Sequence, residues 1–195
     1  MKKLTYLIIL IIISQGLLFA QKRGKKVELN LEAGPYYIKS VASGRILDIP
    51  GYASNAHKKN GSNVQLWELD DGADRKVKFI PTENGYYSIR FQHAKMNLDV
   101  HGCYDSKWFC WTYKRDKGAN VQIWKAGNSK PQQWKVEQVN PGQFRIQNRY
   151  SGKYLDADAN NINKNGCNVL QWTWNGRDNQ LWEIVDVESG QKYQE

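Results

Sequence analysis

The sequence has little methionine, few histidines and none of the short motifs that mark common catalytic sites. Its 2 methionines, against 8 tryptophans and 11 tyrosines, and the lack of an apolar 3.6-residue period after residue 20 argue against a helical bundle. It contains no Gly-x-Ser-x-Gly, no His-Glu-x-x-His and no phosphate-binding glycine loop. The histidines, His57, His93 and His101, fall at unrelated places, and nothing marks the two opposed carboxylates of a glycosidase. The sequence predicts neither an enzyme nor a cofactor.

Cysteine is also scarce, and the 3 cysteines cannot all pair within one molecule. Cys103 and Cys110 lie in one irregular stretch, where an oxidising compartment would allow a disulfide between them. Two free thiols are the alternative, and the sequence does not decide between them. His101 with these two cysteines supplies three metal ligands at no recognised spacing, so we predict no metal site.

Long apolar runs are confined to the N-terminus. Lys2 and Lys3 precede the apolar run Leu7–Ile13, and Ala20 stands before a polar stretch, a pattern typical of a signal peptide spanning residues 1–20. The alternative is an uncleaved membrane anchor, but the apolar segment is interrupted by Ser14–Gly16 and is at the short limit for crossing a bilayer. We therefore expect a secreted or periplasmic protein with no membrane span after cleavage.

Acidic residues are outnumbered by basic ones, 19 to 28, for a net formal charge of +9. Residues 1–20 hold two lysines and no acid, so their removal leaves +7, part of which lies in a basic N-terminal tail at residues 21–34. Charge alone supports only weak, salt-sensitive binding to polyanions. The sequence predicts no specific nucleic-acid partner.

Aromatic residues and the 16 glycines are abundant, which favours strands and tight turns, and they are organised as a threefold repeat. Each copy has an aromatic residue twelve positions before the Asp of a Leu-Asp pair, then a glycine two residues before an Asn-Val pair, then a tryptophan. A polar residue follows eight positions after that tryptophan. The copies of Leu-Asp and Asn-Val start at Leu47, Leu98 and Leu155 and at Asn63, Asn120 and Asn168. Five landmarks in one order and in three copies exceed chance.

The repeats define three units, residues 35–85, 86–142 and 143–186, followed by a C-terminal tail at 187–195. Alternating apolar and polar residues between turn sequences predict about four short strands in each unit, and hence an all-β protein. One four-strand unit cannot bury its own apolar face, whereas three units packed about an axis close a barrel.

These motifs resemble those of the ricin B-type lectins, and the resemblance covers residues 35–186. It implies a β-trefoil of three pseudo-symmetric four-strand repeats. Such a protein would bind glycans of the galactose or xylose type without a metal ion and without catalysing a reaction. In that family the Asp of Leu-Asp accepts hydrogen bonds from ring hydroxyls, an aromatic ring stacks on the sugar, and an Asn-Gln pair completes the pocket. Carboxylates and amides suit hydroxyl groups because they form strong, directional hydrogen bonds.

The resemblance implies its most complete site in the third unit. Asp156 would be the carboxylate, Trp172 the stacking platform, Asn179 a hydroxyl partner and Gln180 a brace for the aspartate. Leu170 stands where the other two units have glutamine, which removes one polar contact.

The other two units depart further from the family pattern. The implied site residues are Asp48, Gln65 and Trp67 in the first unit, and Asp99, Gln122 and Trp124 in the second. Arg75 of the first unit would either pair with Asp48 or hold an acidic sugar, and Pro131 of the second unit replaces the asparagine. We rank the third unit first, the first unit second and the second unit last.

Three alternatives remain open. The tryptophans of these sites could be core residues, as Trp134 and Trp182 are predicted to be, and the aspartates could anchor turns. The trefoil could instead bind or inhibit a protein, with the lectin pattern surviving as scaffold. It could also bind polyanions through its positive charge, with steep salt dependence.

Overall fold

The computed structural model describes residues 30–31, 34–51, 58–70, 75–101 and 115–194. The predicted signal peptide, most of the basic tail, and Cys103 with Cys110 lie outside these ranges. No helix in the described ranges has the length and apolar character needed to cross a bilayer.

The described residues form twelve strands, four in each unit, which confirms the predicted all-β class. The first unit holds β1 (Tyr36–Ser40), β2 (Ile46–Asp48), β3 (Gln65–Trp67) and β4 (Val77–Pro81). The second holds β5 (Tyr87–Phe91), β6 (Met96–Val100), β7 (Val121–Lys125) and β8 (Gln133–Asn140). The third holds β9 (Gln143–Asn148), β10 (Tyr154–Ala157), β11 (Cys167–Trp172) and β12 (Trp182–Asp186). Short 3₁₀ helices occupy Glu83–Gly85, Lys130–Gln132 and Asp178–Gln180.

The first and fourth strands of each unit build a closed six-stranded barrel. Within the units β1 pairs with β4, β5 with β8 and β9 with β12; between units β4 pairs with β5, β8 with β9 and β12 with β1. All pairings are antiparallel, and each barrel strand has a partner on both sides. The second and third strands form hairpins, β2–β3, β6–β7 and β10–β11, that meet around the pseudo-threefold axis. This arrangement is the predicted β-trefoil.

Equivalent residues of the three units fill the core. Trp134 and Trp182 are fully buried, as predicted, and Val77 is fully buried at the same place in the first unit. The indole N–H groups donate to the carbonyls of Leu98 (3.0 Å) and Leu155 (3.1 Å), so these large apolar side chains leave no polar atom unsatisfied.

The asparagines of the three Asn-Val landmarks form a ring on the axis. The amide nitrogen of Asn63 donates to Asn168 Oδ1 (2.9 Å), that of Asn168 to Asn120 Oδ1 (2.9 Å), and that of Asn120 to Asn63 Oδ1 (2.8 Å). An amide can take part in such a ring because it is both donor and acceptor. The ring explains a landmark to which the sequence alone assigns no role.

The repeated glycines allow each unit to approach the next. Gly61, Gly118 and Gly166 have φ values of +83°, +84° and +83°, in the left-handed region that favours glycine. A Cβ on Gly118 would lie 3.4 Å from the indole of Trp172 in the following unit. The loop before β7 can therefore lie close to that ring.

The C-terminal segment packs against the barrel through Tyr193. The backbone N–H of Tyr193 donates to Ile184 of β12 (2.7 Å), and its ring lies 6.2 Å from that of Phe144. Its hydroxyl accepts a hydrogen bond from the N–H of Asn30 (3.2 Å), so the two ends of the described chain meet.

Candidate binding site

The β10–β11 hairpin places the candidate residues of the third unit on one face. Asp156 pairs directly with Leu170, and Tyr154 pairs directly with Trp172. Directly opposed residues of antiparallel strands share a face, as do residues two apart on one strand. Leu155 and the other alternate residues face the core. The hairpin register therefore brings Asp156 and Trp172 together, as the resemblance implies.

A cleft of about 400 Å³ opens on this face of the hairpin. Trp172 is half-buried, so its ring is not part of the sealed core, and Asp156 lies deeper, with 5% of its surface exposed. The cleft is lined by Asp156, Asp158, Ala159, Asn160, Leu170, Trp172, Asn175, Arg177 and Asn179. Its walls thus combine one indole ring with a carboxylate and several amides.

Asn179 holds the Asp156 carboxylate in place. Its amide nitrogen donates to Asp156 Oδ1 (3.0 Å) and to the carbonyl of Ala157 (3.0 Å). Burial raises the pKa of Asp156 to about 6, while hydrogen bonds from Gln180 and Asn179 limit the rise. The carboxylate is therefore mostly ionised at neutral pH and becomes protonated in mildly acidic solution.

Gln180 braces the loop that follows Trp172. Its side chain is fully buried; Nε2 donates to the carbonyl of Thr173 (3.0 Å), and Oε1 accepts from the N–H of Asn175 (2.9 Å). The sequence predicts that Gln180 braces Asp156, and in the structure Gln180 also makes these two hydrogen bonds to the loop. Gln180 both lowers the pKa of Asp156 and fixes one wall of the cleft.

The second unit contributes to the surroundings of the third-unit site. The ammonium group of Lys117 lies 5.3 Å from the centroid of the Trp172 ring, within cation–π range. Sequence reasoning carried out unit by unit misses Lys117, because the contact crosses between units. It also misses Arg177 and Asp158; the position of Asp158 two residues after Asp156 is the signal that could have found it.

The aspartate of the first unit is already occupied by protein groups. Arg75 Nε donates to Asp48 Oδ1 (2.9 Å), and Gln65 Nε2 donates to Asp48 Oδ2 (2.7 Å). Arg75 and Asp48 are both buried. Of the two roles predicted for Arg75, the structure shows the ion pair with Asp48. Trp67 remains half-buried, but a sugar hydroxyl would have to compete with a buried ion pair for the carboxylate.

In the second unit, the side chain of Asp99 is buried, with 2% of the residue surface exposed. Gln122 Nε2 donates to Asp99 Oδ1 (3.2 Å), and Gln122 Oε1 lies 3.0 Å from His101 Nδ1. Burial raises the pKa of Asp99 to about 6, and Gln122, Gln132 and His101 act to lower it. Pro131, at the position of Asn179, has no side-chain amide that could donate to Asp99. Trp124 is half-buried, as in the other units.

The three carboxylates thus differ in their partners: an arginine and a glutamine in the first unit, two glutamines in the second, and an asparagine and a glutamine in the third. Residues 52–57 and 71–74 of the first unit and residues 102–114 of the second lie outside the described part of the chain. Across the described ranges, no three His, Cys, Asp or Glu side chains lie close enough together to hold a metal ion.

Comparison with a family model adds independent information. The model described as ricin-type β-trefoil lectin domain-like matches residues 26–108, 81–172 and 130–194, three overlapping copies that cover most of the chain. No protein with a curated function matches the sequence.

Solved structures with the same fold include designed, lectin and enzyme chains. The designed three-fold symmetric protein ThreeFoil is 28% identical, with a TM-score of 0.67 over 78% of this chain and 98% of its own. A Macrolepiota procera ricin B-like lectin, solved in complex with lactose, is 19% identical, with a TM-score of 0.60 over 81% of this chain and 98% of its own. An exo-β-1,3-galactanase of Clostridium thermocellum is 22% identical, with a TM-score of 0.66 over 80% of this chain but only 30% of its own.

Proposed function

Because the chain belongs to the ricin-type β-trefoil lectin domain-like family, we propose that it binds glycans at the cleft of the third unit, without metal and without catalysis. The observation that carries the proposal is the half-buried ring of Trp172 beside the Asp156 carboxylate in an open cleft. Galactose- or xylose-type sugars are the proposed ligands, and the lactose bound by the Macrolepiota procera lectin is consistent with the former.

Each lining group has a distinct role in this proposal. The ring of Trp172 stacks on the C–H face of a pyranose, and the Asp156 carboxylate accepts hydrogen bonds from ring hydroxyls. Both protein contacts of Asn179 use its amide nitrogen, so its oxygen serves to accept from a further hydroxyl. A charge-assisted hydrogen bond contributes about 1.5–3 kcal/mol, so we assign the largest polar share to Asp156.

The acidic groups of the cleft support binding rather than hydrolysis. Glycosidases need a second carboxylate that acts across the scissile bond. The second acid of the cleft, Asp158, accepts hydrogen bonds from the side chains of Asn160 (3.1 Å) and Asn161 (3.2 Å), which form a turn at the rim. This chain corresponds to less than a third of the galactanase, so that likeness supports no catalytic role here.

Two substitutions in the third unit test the proposal. We expect Trp172→Ala and Asp156→Asn each to weaken glycan binding by about tenfold or more, since each removes a group worth about 1.4 kcal/mol or more. The measurement is a glycan array followed by titration calorimetry of the strongest hit. Trp124→Ala, at the same place in the second unit, is the matched control and should retain binding. Unchanged affinity in Trp172→Ala, with the melting temperature preserved, would contradict the proposal.

Competition separates glycan binding from the two other functions. Free galactose or a xylan fragment should displace the partner of a lectin, whereas it should leave a protein–protein contact in place. Binding that disappears at high salt but ignores free sugar would instead indicate polyanion association. We also propose that the protein is exported, which N-terminal sequencing of the mature chain tests by finding or not finding Gln21 at its start.

A further inference from the structure

An aromatic cluster lies beside the third-unit cleft and is not among its lining residues. The rings of Tyr154 and Trp174 have centroids 5.3 Å apart at an interplanar angle of 51°. The guanidinium carbon of Arg145 lies 5.3 Å from the Tyr154 centroid and 5.2 Å from the Trp174 centroid. Both rings are half-buried, so each keeps surface that solvent can reach.

The cluster continues the face on which the cleft opens. Tyr154 is directly opposite Trp172 across the β10–β11 hairpin, and directly opposed side chains have Cβ atoms about 5 Å apart. Trp174 follows Trp172 by two residues, and the next residue, Asn175, lines the cleft. Tyr154 and Trp174 are therefore close neighbours of Trp172 on the face that carries the Asp156 cleft.

Charged neighbours hold the cluster in place before any ligand arrives. Arg145 Nε donates to Glu137 Oε2 (2.9 Å), and Lys135 pairs with Glu137 Oε1 (2.7 Å). The guanidinium is thus fixed at one end by the carboxylate and rests against the two rings at the other. Rings fixed in this way lose little conformational freedom on binding, which favours affinity.

The fold does not require this cluster, because the other units lack it. At the positions of Arg145, Tyr154 and Trp174 the first unit has Tyr37, Ile46 and Leu69. These three residues border a cavity of about 540 Å³ instead of a stacked pair of rings. The same positions of the second unit hold Ser88, Asn97 and Ala126. The aromatic pair therefore lies in the unit whose cleft has the most complete set of candidate sugar-binding groups.

We propose that Tyr154 and Trp174 form a second sugar subsite, so that the ligand of the third unit is an oligosaccharide that spans both subsites. This inference rests on the proposed function. The first sugar occupies the Asp156–Trp172 cleft, and a neighbouring sugar of the same chain covers the exposed surface of the Tyr154–Trp174 pair. The second contact is mainly apolar, so it recognises the C–H face of a pyranose rather than one hydroxyl pattern.

Titration calorimetry of the full mature chain tests the subsite, with galactose and xylose and their trisaccharides as probes. We expect the better trisaccharide to bind about tenfold more tightly than its monosaccharide. Trp174→Ala should remove this advantage and leave monosaccharide affinity unchanged, whereas Trp172→Ala should weaken both. Tyr154→Leu keeps apolar bulk in the hairpin and should act like Trp174→Ala. Leu69→Ala, at the matching position of the first unit, is the control and should change neither affinity.

The outcomes separate the two proposals. Equal affinity of the unmodified protein for monosaccharide and trisaccharide would overturn the second subsite while the proposed function stands. A trisaccharide advantage that survives in both Trp174→Ala and Tyr154→Leu would also overturn it. If the unmodified protein binds none of the four sugars and a glycan array is blank, the proposed function fails and the subsite fails with it.

Discussion

Asp48, Asp99 and Asp156 are one residue type at one repeat position, yet their neighbours give them different chemistry. Arg75 and Gln65 hold both oxygens of Asp48, whereas Asp156 is held by an asparagine amide. An aspartate paired with an arginine is neutralised by its own chain, but one held by an amide keeps its negative charge. The ability to accept from a ligand is therefore decided by the partner at each site.

The acidity of Asp156 makes binding depend on pH. Its pKa is raised to about 6, so lowering the pH from 7.5 to 5 converts most of the carboxylate to the neutral acid. The neutral acid is a weaker acceptor, and we expect the association constant for the glycan to fall by about tenfold over this interval. Titration calorimetry at both pH values measures the change.

Asp156→Asn is the control for this pH dependence, because it keeps the size of the side chain and removes its titration. The variant should bind weakly, and its affinity should be the same at pH 5 and pH 7.5. An equally large fall in the variant would place the titrating group elsewhere.

The residues of the third site could be chosen from the sequence because a repeat marks them. The spacing from the aromatic residue to the Asp of Leu-Asp and the spacing from Asn-Val to Trp are the same in all three copies, so Asp156 and Trp172 could be assigned although the stretch between them varies in length. Lys117 could not be found this way, because its contact with Trp172 depends on how two units pack. The partner of Arg75 was likewise open, since the sequence offered it two roles and only coordinates fix its distance to Asp48.

At the scale of elements, the first hairpin is tied to the barrel by charge. Arg75 stands just before β4, and its guanidinium reaches Asp48 at the end of β2, while Gln65 of β3 donates to the same carboxylate. One buried carboxylate thus connects three strands of the first unit. In the second unit the partners of the equivalent carboxylate are the side-chain amides of glutamines, and in the third unit they are the amides of Gln180 and Asn179.

Arg75→Gln should destabilise the protein, because it leaves a buried carboxylate without its counter-charge. We expect a loss of about 3–5 kcal/mol in the free energy of unfolding, measured by urea denaturation. Asp48→Asn in the same background removes the orphaned charge and should recover most of that loss. A double variant no more stable than the single one would show that Arg75 acts through packing rather than through charge.

At the scale of the molecule, the strand number and the barrel could be predicted because the same strand pattern occurs in all three units. The pattern of one unit is typical of many β proteins, but three copies of it indicate three units packed about an axis. The Asn63–Asn120–Asn168 ring could not be predicted in the same way. The sequence marks the three asparagines as equivalent, but only their closure around the axis shows that they bond to one another.

Opening this ring should cost stability in a non-additive way. Asn120→Ala leaves Asn63 Oδ1 without its donor and Asn168 Nδ2 without its acceptor, and we expect a loss of about 1–3 kcal/mol in the free energy of unfolding. Asn63→Ala and Asn168→Ala added to it should each cost less than they cost alone. Urea denaturation of the single, double and triple variants measures the coupling, and strictly additive losses would contradict it.

Direct pairing of β1 with β12 has a further consequence for how the molecule could be encoded. Because the beginning and the end of the described chain are neighbours, the barrel has no natural starting point. Joining those ends with a short linker and opening the chain at the turn between β8 and β9 would produce a circular permutant that keeps every strand pairing. The starting point of the chain can therefore be moved without changing the order of the units around the axis.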